Sequence, residues 1–304
     1  MLKKILLINI DSTIKNIALE KIKMWHEQQG YEVIIEDYKF ISCLFYDADD
    51  YESVWVSCIF DWNKDKALSC KGKHKNINIG GSGVDLITVL PIEIDILKPK
   101  LNLGFSTRGC IRKCGFCVVP KKEGNIHVAG DIYDIWDGKN KEITLLDNNI
   151  LAIPEHFFKI TDQILKENLS VDFNQGLDHR LLTDDIVKRL KEIKTPYYRF
   201  AFDHISYKPT VLKAIELLKK YDIISSKCTW YVYDNAEDWD GLMERLSILR
   251  DANHRAYLMR DRKIIKDKKH IAVTRWVNSF SYFAKFSFEE YIKIEYPNLI
   301  LDKK

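Results

Sequence analysis

The sequence has no long hydrophobic run, little glycine or proline, and almost no excess of charge of either sign. No stretch approaches the roughly 18–20 apolar residues that a membrane-spanning helix needs, and the start, MLKKILLINIDST, reaches polar residues too soon for a signal peptide. With only 13 Gly and 7 Pro in 304 residues, collagen-like and low-complexity chains are excluded. We therefore expect a globular, cytoplasmic protein with no membrane partner.

The balance of charges does not indicate which class of molecule the protein binds. The chain carries 47 basic and 44 acidic residues, a net charge of +3, which is too even for the electrostatic footprint of a nucleic-acid-binding protein. A nucleic-acid partner is possible but is not indicated by charge. Hydrophobic residues make up 46% of the chain, enough for one large domain or two smaller ones.

The cysteines are few and unevenly spread. There are seven, an odd number, and without an export signal a disulfide framework is not expected. Three of them, Cys110, Cys114 and Cys117, lie within one short segment, and the others are dispersed: Cys43, Cys58, Cys70 and Cys228. This spacing points to metal ligation or catalysis rather than to disulfides.

Residues 1 to about 97 read as a small α/β layer. Apolar segments predict strands at Ile5–Ile8, Tyr31–Ile35, Ser53–Ile59 and near Ile77–Ile79, with a helix between the first two. This alternation favours parallel pairing. The glycines at 80, 81 and 83 either form a turn that needs positive φ or cradle a phosphate, if they open a helix.

From Leu101 onward the pattern repeats as six βα units. Strand signals recur near the residues 101, 142, 171, 197, 228 and 255. The helices that follow are predicted near 132–136 and at 155–166, 184–193, 210–221, 238–250 and 270–283. Such units form either a doubly wound sheet or an open or nearly closed barrel, and in both cases the ligand site lies at the carboxyl ends of the strands. Trp276, Phe280 and Phe283 share a helical face and are predicted to be core.

The three grouped cysteines form a chelating loop. At C-x3-C-x2-C spacing they can ligate three irons of a [4Fe–4S] cluster and leave the fourth iron open. An iron without a protein ligand can bind a small molecule directly, so this arrangement indicates a reaction site rather than an electron-transfer site. The alternatives are a Cys3His zinc site, closed by His127, or buried thiols.

This loop after the first of six βα strands, with Phe116 before the third cysteine, resembles the radical S-adenosylmethionine (SAM) enzymes over residues 101 to about 260. The resemblance implies a partial (β/α)6 TIM-like barrel at 98–262. A small Rossmann-like α/β domain at 1–97 would precede it, and an aromatic-rich helical extension at 263–304 would follow. It also implies that SAM binds the open iron and that a donor such as flavodoxin or ferredoxin reduces the cluster. Reductive cleavage of SAM then gives a 5′-deoxyadenosyl radical, which takes a hydrogen atom from an unknown substrate.

The resemblance extends to SAM contacts in the first three units. Asp147 and Asn148 follow the second strand, where the family receives the amino group of SAM; the alternative is an ordinary polar turn. Asn174 and Gln175 follow the third strand and are expected to contact the ribose or substrate, or else to cap the next helix. Phe116 is a candidate for holding the adenine.

The fourth strand supplies two further candidates. Arg199 and Asp203 share a face. Arg199 is expected to hold the carboxylate of SAM, or else to pair with Asp172 or Asp203. A hydrogen bond to the ribose is expected from Asp203.

Two narrower similarities are local. The segment from Arg108 to Gly124 is similar to the cluster loop of the tRNA methylthiotransferases, which makes an RNA-modifying enzyme an alternative. That family also has three cysteines in an N-terminal domain and a C-terminal β domain, whereas here Cys43, Cys58 and Cys70 are spaced differently and no all-β pattern follows residue 260. The N-terminal layer is similar in architecture to cobalamin-binding domains, but the D-x-H-x-x-G motif is missing, so no cobalamin is predicted. A non-catalytic iron–sulfur or zinc module that binds a partner is the remaining alternative.

Overall fold

The computed structural model describes residues 3–38 and 50–297. Cys43 lies outside the described residues. Contacts divide the chain into two compact units, residues 1–140 and 141–304, and each is described by itself. The boundaries at residues 97 and 262, which follow from the resemblance, stay predictions.

A four-stranded parallel sheet forms the core of the first unit. Its strands are β1 (Lys4–Asn9), β2 (Glu32–Asp37), β3 (Tyr51–Ser57) and β4 (Ile77–Gly80), in the order β2-β1-β3-β4. All three pairings are parallel. The predicted α/β layer with parallel pairing is therefore confirmed.

The central strand of this sheet is buried on both faces. Ile5 and Leu7 pack with Leu19 and Ile22 of the helix α1 (Ile17–Gln28). The alternate residues of β1 pack into a second cluster on the other face. Because successive side chains of a strand point to opposite faces, the hydrophobic run in β1 can fill both cores.

The glycine-containing segment after β4 forms a tight turn and does not form a phosphate-binding loop. Gly81 has φ +102°, and a Cβ placed there would lie 2.2 Å from the carbonyl oxygen of Cys58. No helix begins in residues 81–91, so the helix N-terminus that a phosphate would need is not there. The prediction of a positive-φ turn is confirmed, and the phosphate alternative is wrong.

Shorter elements complete the first unit. The short strands are β5 (Leu103–Gly104), β6 (Thr107–Arg108) and β7 (His127–Val128). The short helices are α2 (Lys64–Leu68), α3 (Ile92–Asp95), α4 (Val119–Lys122) and α5 (Ile132–Ile135).

The second unit alternates strands and helices, much as predicted. Its strands are β8 (Glu142–Leu145), β9 (Ser170–Phe173), β10 (Tyr198–Ala201), β11 (Cys228–Asp234) and β12 (Arg255–Arg260). Its helices are α6 (Pro154–Lys166), α7 (Asp184–Glu192), α8 (Lys208–Lys220), α9 (Trp239–Asp251), α10 (Lys268–Asn278), α11 (Phe280–Lys285) and α12 (Phe288–Glu295).

The strand pairs within the second unit are parallel, and they fall into two groups that follow the order of the chain. β8 pairs with β9, and β10, β11 and β12 form one sheet. A parallel bridge between Ser170 and Lys194 brings the start of β9 beside the segment that leads into β10. The chain is thus a mixed α/β protein with parallel sheets.

Burial alternates along these strands, so one face of each is covered by helices. Phe173 of β9 packs on Phe157 of α6, and the hydroxyl of Tyr198 in β10 donates to the carbonyl of Leu190 in α7. The residues on the opposite face, such as Asp172 and Arg199, are only half-buried. Polar side chains therefore collect on the face away from these helices.

The predicted helix at 270–283 is in fact two helices. It breaks at Ser279, whose φ and ψ of −99° and 97° are extended, and the side chain of Asn278 bonds to both backbone polar groups of Leu258. Trp276 and Phe283 are buried core residues as predicted, whereas Phe280 is half-buried. Among the described residues, no helix has the length and apolar character needed to cross a membrane.

Candidate functional site

A closed hairpin presents the three-cysteine loop of the first unit. Strands β6 and β7 pair antiparallel, with Thr107 opposite Val128 and Arg108 opposite His127. The loop that they close runs from residue 109 to residue 126 and contains all three cysteines. This hairpin escaped the sequence analysis because two-residue strands carry too few residues for a periodic signal.

The start of the loop requires a glycine. Gly109 has φ +78°, and a Cβ there would lie 2.3 Å from the carbonyl oxygen of Asn125. The backbone of one end of the loop thus lies against the backbone of the other end. Only a residue without a side chain allows this approach.

Glu123 locks the two ends of the loop together. Its carboxylate accepts the backbone N–H of Gly109 at 2.8 Å and pairs with Arg108 at 2.9 Å. The side chain of Glu123 is only 13% exposed, so this pair is screened less than a surface pair would be. The backbone N–H of Cys110 also donates to the carbonyl of Gly124, at 3.2 Å.

The thiols lie at intermediate depth within this frame. Cys110, Cys114 and Cys117 are each half-buried. The backbone N–H of Arg112 donates to the Sγ of Cys110 at 3.3 Å, and the N–H of Cys117 donates to the carbonyl of Cys114 at 3.0 Å. An N–H group directed at a cysteine sulfur is a feature that stabilises a thiolate ligand.

The donor chemistry of the loop fits an iron–sulfur cluster, but its sulfur atoms do not outline one. Within residues 3–38 and 50–297, no three His, Cys, Asp or Glu side chains are grouped as metal ligands. His127, the candidate fourth zinc ligand, is exposed, and its Nδ1 lies 3.0 Å from the carbonyl of Asn125. Phe116 is 46% exposed on the same loop.

The first candidates in the second unit follow β8. Asp147 is buried and Asn148 is half-buried. The next residue, Asn149, donates from Nδ2 to Asp178 at 3.1 Å, and Asp178 pairs with Arg180 at 2.6 Å. The segment after β8 is therefore tied to the segment after β9 through buried polar groups.

Asn174 and Gln175 do not cap the next helix. Thr183 caps α7, and Asp178 caps the short turn before it. Asn174 Oδ1 instead accepts from Gln175 Nε2 at 3.2 Å, and the backbone N–H of Asn174 donates to the carbonyl of Leu145. The capping alternative is wrong, and both residues lie at the carboxyl end of β9 beside the end of β8.

Arg199 is in an ion pair with Asp172 across β9 and β10. The two side chains are 17% and 24% exposed. The ion-pair alternative is thus what the structure shows, with Asp172 rather than Asp203 as the partner. Burial raises the pKa of the neighbouring Tyr231, and the charge of Arg199 opposes that rise.

Asp203 is a carboxyl group in an unfavourable environment at the end of β10. Burial raises its pKa to about 6, and the N–H of Tyr233, 3.2 Å from Oδ1, opposes the rise together with the charges of Arg245 and Arg180. Residues with perturbed pKa values are enriched in functional sites.

Two arrangements at the carboxyl ends of β10 and β11 were not predicted. Arg245 is buried and donates to the carbonyls of Phe202 at 2.7 Å and Tyr233 at 3.1 Å. Asp234, the last residue of β11, contacts His270 at 2.5 Å. Periodicity marks Arg245 and His270 only as helix residues, so no sequence signal would have found these partners.

The chain matches no protein-family model, and a search of curated proteins finds no match. Functional inference therefore depends on the residues and contacts of this chain.

Proposed function

We propose that this chain is a radical SAM enzyme that binds a [4Fe–4S] cluster through Cys110, Cys114 and Cys117, cleaves SAM reductively and takes a hydrogen atom from a substrate. The observation that carries the proposal is the three-cysteine loop closed by Gly109 and by the half-buried carboxylate of Glu123.

When bound, such a cluster with one open iron supplies the electron that splits SAM into methionine and a 5′-deoxyadenosyl radical. The chain itself supplies three thiolates on one loop. The N–H of Arg112 reduces the charge density on the sulfur of Cys110. Glu123 and Arg108 hold the ends of the loop, so that the thiols keep their spacing.

The second unit supports the proposal by its strand order. β8 pairs with β9, and β10, β11 and β12 pair in chain order, with helices over one face of these strands and half-buried polar residues on the other. We propose that these strands belong to a partial (β/α)6 barrel, because doubly wound sheets reverse their strand order and bury both faces. Ligands of such folds bind at the carboxyl ends of the strands.

The strand ends are the proposed contacts to SAM. Asp147 and Asn148 would accept from its amino group, and Asn174 and Gln175 would bond to its ribose or to the substrate. Because Arg199 already pairs with Asp172, we propose that it holds a carboxylate while it remains in that pair.

The remaining assignments concern the nucleoside and the electron source. We propose that Asp203 accepts a hydrogen bond from a ribose hydroxyl and that Phe116 holds the adenine. An electron donor such as flavodoxin or ferredoxin would reduce the cluster. No observation favours an RNA substrate over a small molecule.

The proposal is tested by anaerobic reconstitution with iron and sulfide. Metal analysis should give about four irons and four sulfides per chain, and dithionite with SAM should yield 5′-deoxyadenosine. Alanine at any one of Cys110, Cys114 and Cys117 should abolish this product. Cys70→Ala is the matched control, because Cys70 is a buried core thiol of the same unit and should leave both results unchanged.

Three results would contradict the proposal. About one zinc without sulfide would indicate a zinc module. A full cluster that gives no 5′-deoxyadenosine would indicate a non-catalytic iron–sulfur protein. Loss of iron in Cys70→Ala as well would show that binding is not specific to the loop.

A further inference from the structure

A buried carboxylate and a histidine meet at the carboxyl end of β11. Asp234 is 3% exposed, and its Oδ2 lies 2.5 Å from Nδ1 of His270, in the first turn of α10. Its other oxygen, Oδ1, accepts the backbone N–H of Ala236 at 3.0 Å. Both oxygens of this carboxylate therefore act as acceptors.

This contact fixes which nitrogen of His270 carries the proton. Since a carboxylate accepts hydrogen bonds and donates none, Nδ1 of His270 is the protonated nitrogen. In the neutral ring Nε2 then carries the lone pair, and it has no hydrogen-bond partner within residues 3–38 and 50–297. The contact with Asp234 therefore leaves Nε2 as the nitrogen of His270 that can accept a proton.

Two other histidines show the contrast. Nδ1 of the buried His254 accepts from the indole N–H of Trp230 at 2.8 Å, which leaves Nε2 protonated. His74 uses both ring nitrogens on backbone groups, Nδ1 on Asn76 and Nε2 on the carbonyl of Tyr51. Both ring nitrogens of His74 are engaged, and the buried His254 accepts at Nδ1, whereas His270 donates from Nδ1 and keeps Nε2 as its acceptor nitrogen.

The surroundings of His270 hold the ring in place. Asp267 caps the helix through the N–H of His270 at 2.9 Å, and the ring of Trp239 meets the imidazole edge-on with the centroids 5.5 Å apart. The ammonium of Lys269 lies over the Trp239 ring. The turn after Asp234 contains Ala236 with φ +66°, a strained conformation of the kind that clusters at functional sites.

We propose that His270 is a proton-transfer residue: its Nε2 takes a proton from an O–H or N–H group of a bound molecule, and Asp234 stabilises the imidazolium that forms. The proton later returns from Nε2 to the product or to water, so the pair is unchanged after each cycle. The site does not depend on a cluster or SAM, and it adds an acid–base function to the second unit.

The test is carbethoxylation of the whole chain by diethyl pyrocarbonate, with each histidine peptide followed by mass spectrometry. Nε2 attacks the anhydride carbonyl and releases ethyl carbonate, so the rate reports a lone pair that is accessible and nucleophilic. The exposed His204 serves as the reference, and the buried His254 should not react. We expect His270 to react at least as fast as His204, although its side chain is only 11% exposed.

The variant Asp234→Asn distinguishes a proton-transfer role of His270 from a purely structural role. It should slow the reaction of His270 by about tenfold and leave that of His204 unchanged, because an amide does not stabilise the imidazolium or enforce the tautomer. An inert His270, or an equal rate in Asp234→Asn, would overturn the proposal.

A second measurement needs no variant. Long-range ¹H–¹⁵N correlation spectra of the wild-type chain should show a protonated Nδ1 and an unprotonated Nε2 for His270, assigned by the loss of its signals in His270→Gln. The reverse tautomer would refute the proposal even if Asp234→Asn fails to fold. Neither experiment uses iron or SAM, so these outcomes are independent of the cluster assignment.

Discussion

Asp203 should lower the stability of the folded protein at neutral pH, and removing its charge should therefore stabilise the chain. Burial raises its pKa to about 6 from an ordinary value of 3.8. Because the folded state binds this proton more tightly, the contribution of Asp203 to stability is fully present below pH 3.8 and is lost as the pH rises through 6. A carboxyl group that costs stability in this way is expected at a binding or catalytic site.

The size of the effect follows from the difference between the two pKa values. A difference of about 2 units corresponds to about 3 kcal/mol at neutral pH. Since Asp203 is only half-buried, we expect solvent to reduce this to about 1–3 kcal/mol. Asp203→Asn keeps an oxygen that can accept from the N–H of Tyr233 and removes only the charge.

The assay is urea unfolding of the wild type and Asp203→Asn at pH 4 and pH 8, followed by near-UV circular dichroism. The free energy of unfolding of the variant should exceed that of the wild type by about 1–3 kcal/mol more at pH 8 than at pH 4. Asp261→Asn is the control, and its difference from the wild type should change little between pH 4 and pH 8. The N–H of Lys263 and the hydroxyl of Tyr233 lower the pKa of Asp261 from its usual 3.8, so its contribution to stability is lost only at a pH below that range.

An equal difference between Asp203→Asn and the wild type at both pH values would contradict a raised pKa of Asp203. An Asp203→Asn variant that is less stable than the wild type at pH 8 but folds normally at pH 4 would contradict it as well. Either result would mean that the folded environment favours the ionised carboxylate.

Three further predictions concern the loop and the strand ends. Gly109→Ala should lower the iron content after reconstitution and destabilise the loop by about 1–3 kcal/mol, whereas Gly115→Ala, where a Cβ meets nothing within 4 Å, should do neither. Arg245→Met should lower the free energy of unfolding by about 2–5 kcal/mol in urea titrations, because it leaves two strand-end carbonyls without their donor. Burial lowers the pKa of His254 to about 4, so the chain should lose stability as the pH falls from about 6.5 to 4, and His254→Gln should remove most of that dependence in the same titrations.

The strand and helix pattern was largely readable from the sequence because it depends on local periodicity. The strands near residues 142, 171, 197, 228 and 255 and the helices between them lie within a few residues of their predicted bounds. The exception is the helix at 270–283, where the bonds of Asn278 to Leu258 are a tertiary contact that periodicity does not contain.

The sequence alone determined the parallel α/β architecture and the three-cysteine spacing, since both are encoded by residues near one another in the chain. Which charged side chains pair with each other depends on the tertiary structure and could not be predicted from the sequence. Asp172 of β9 pairs with Arg199 of β10, and Asp234 at the end of β11 pairs with His270 of α10, because the fold brings together residues that lie 27 and 36 positions apart. From the sequence alone, several carboxylates are possible partners for Arg199 and for His270. The partner in each pair is fixed by the tertiary structure, which holds the two side chains together and partly excludes the water that would compete for them.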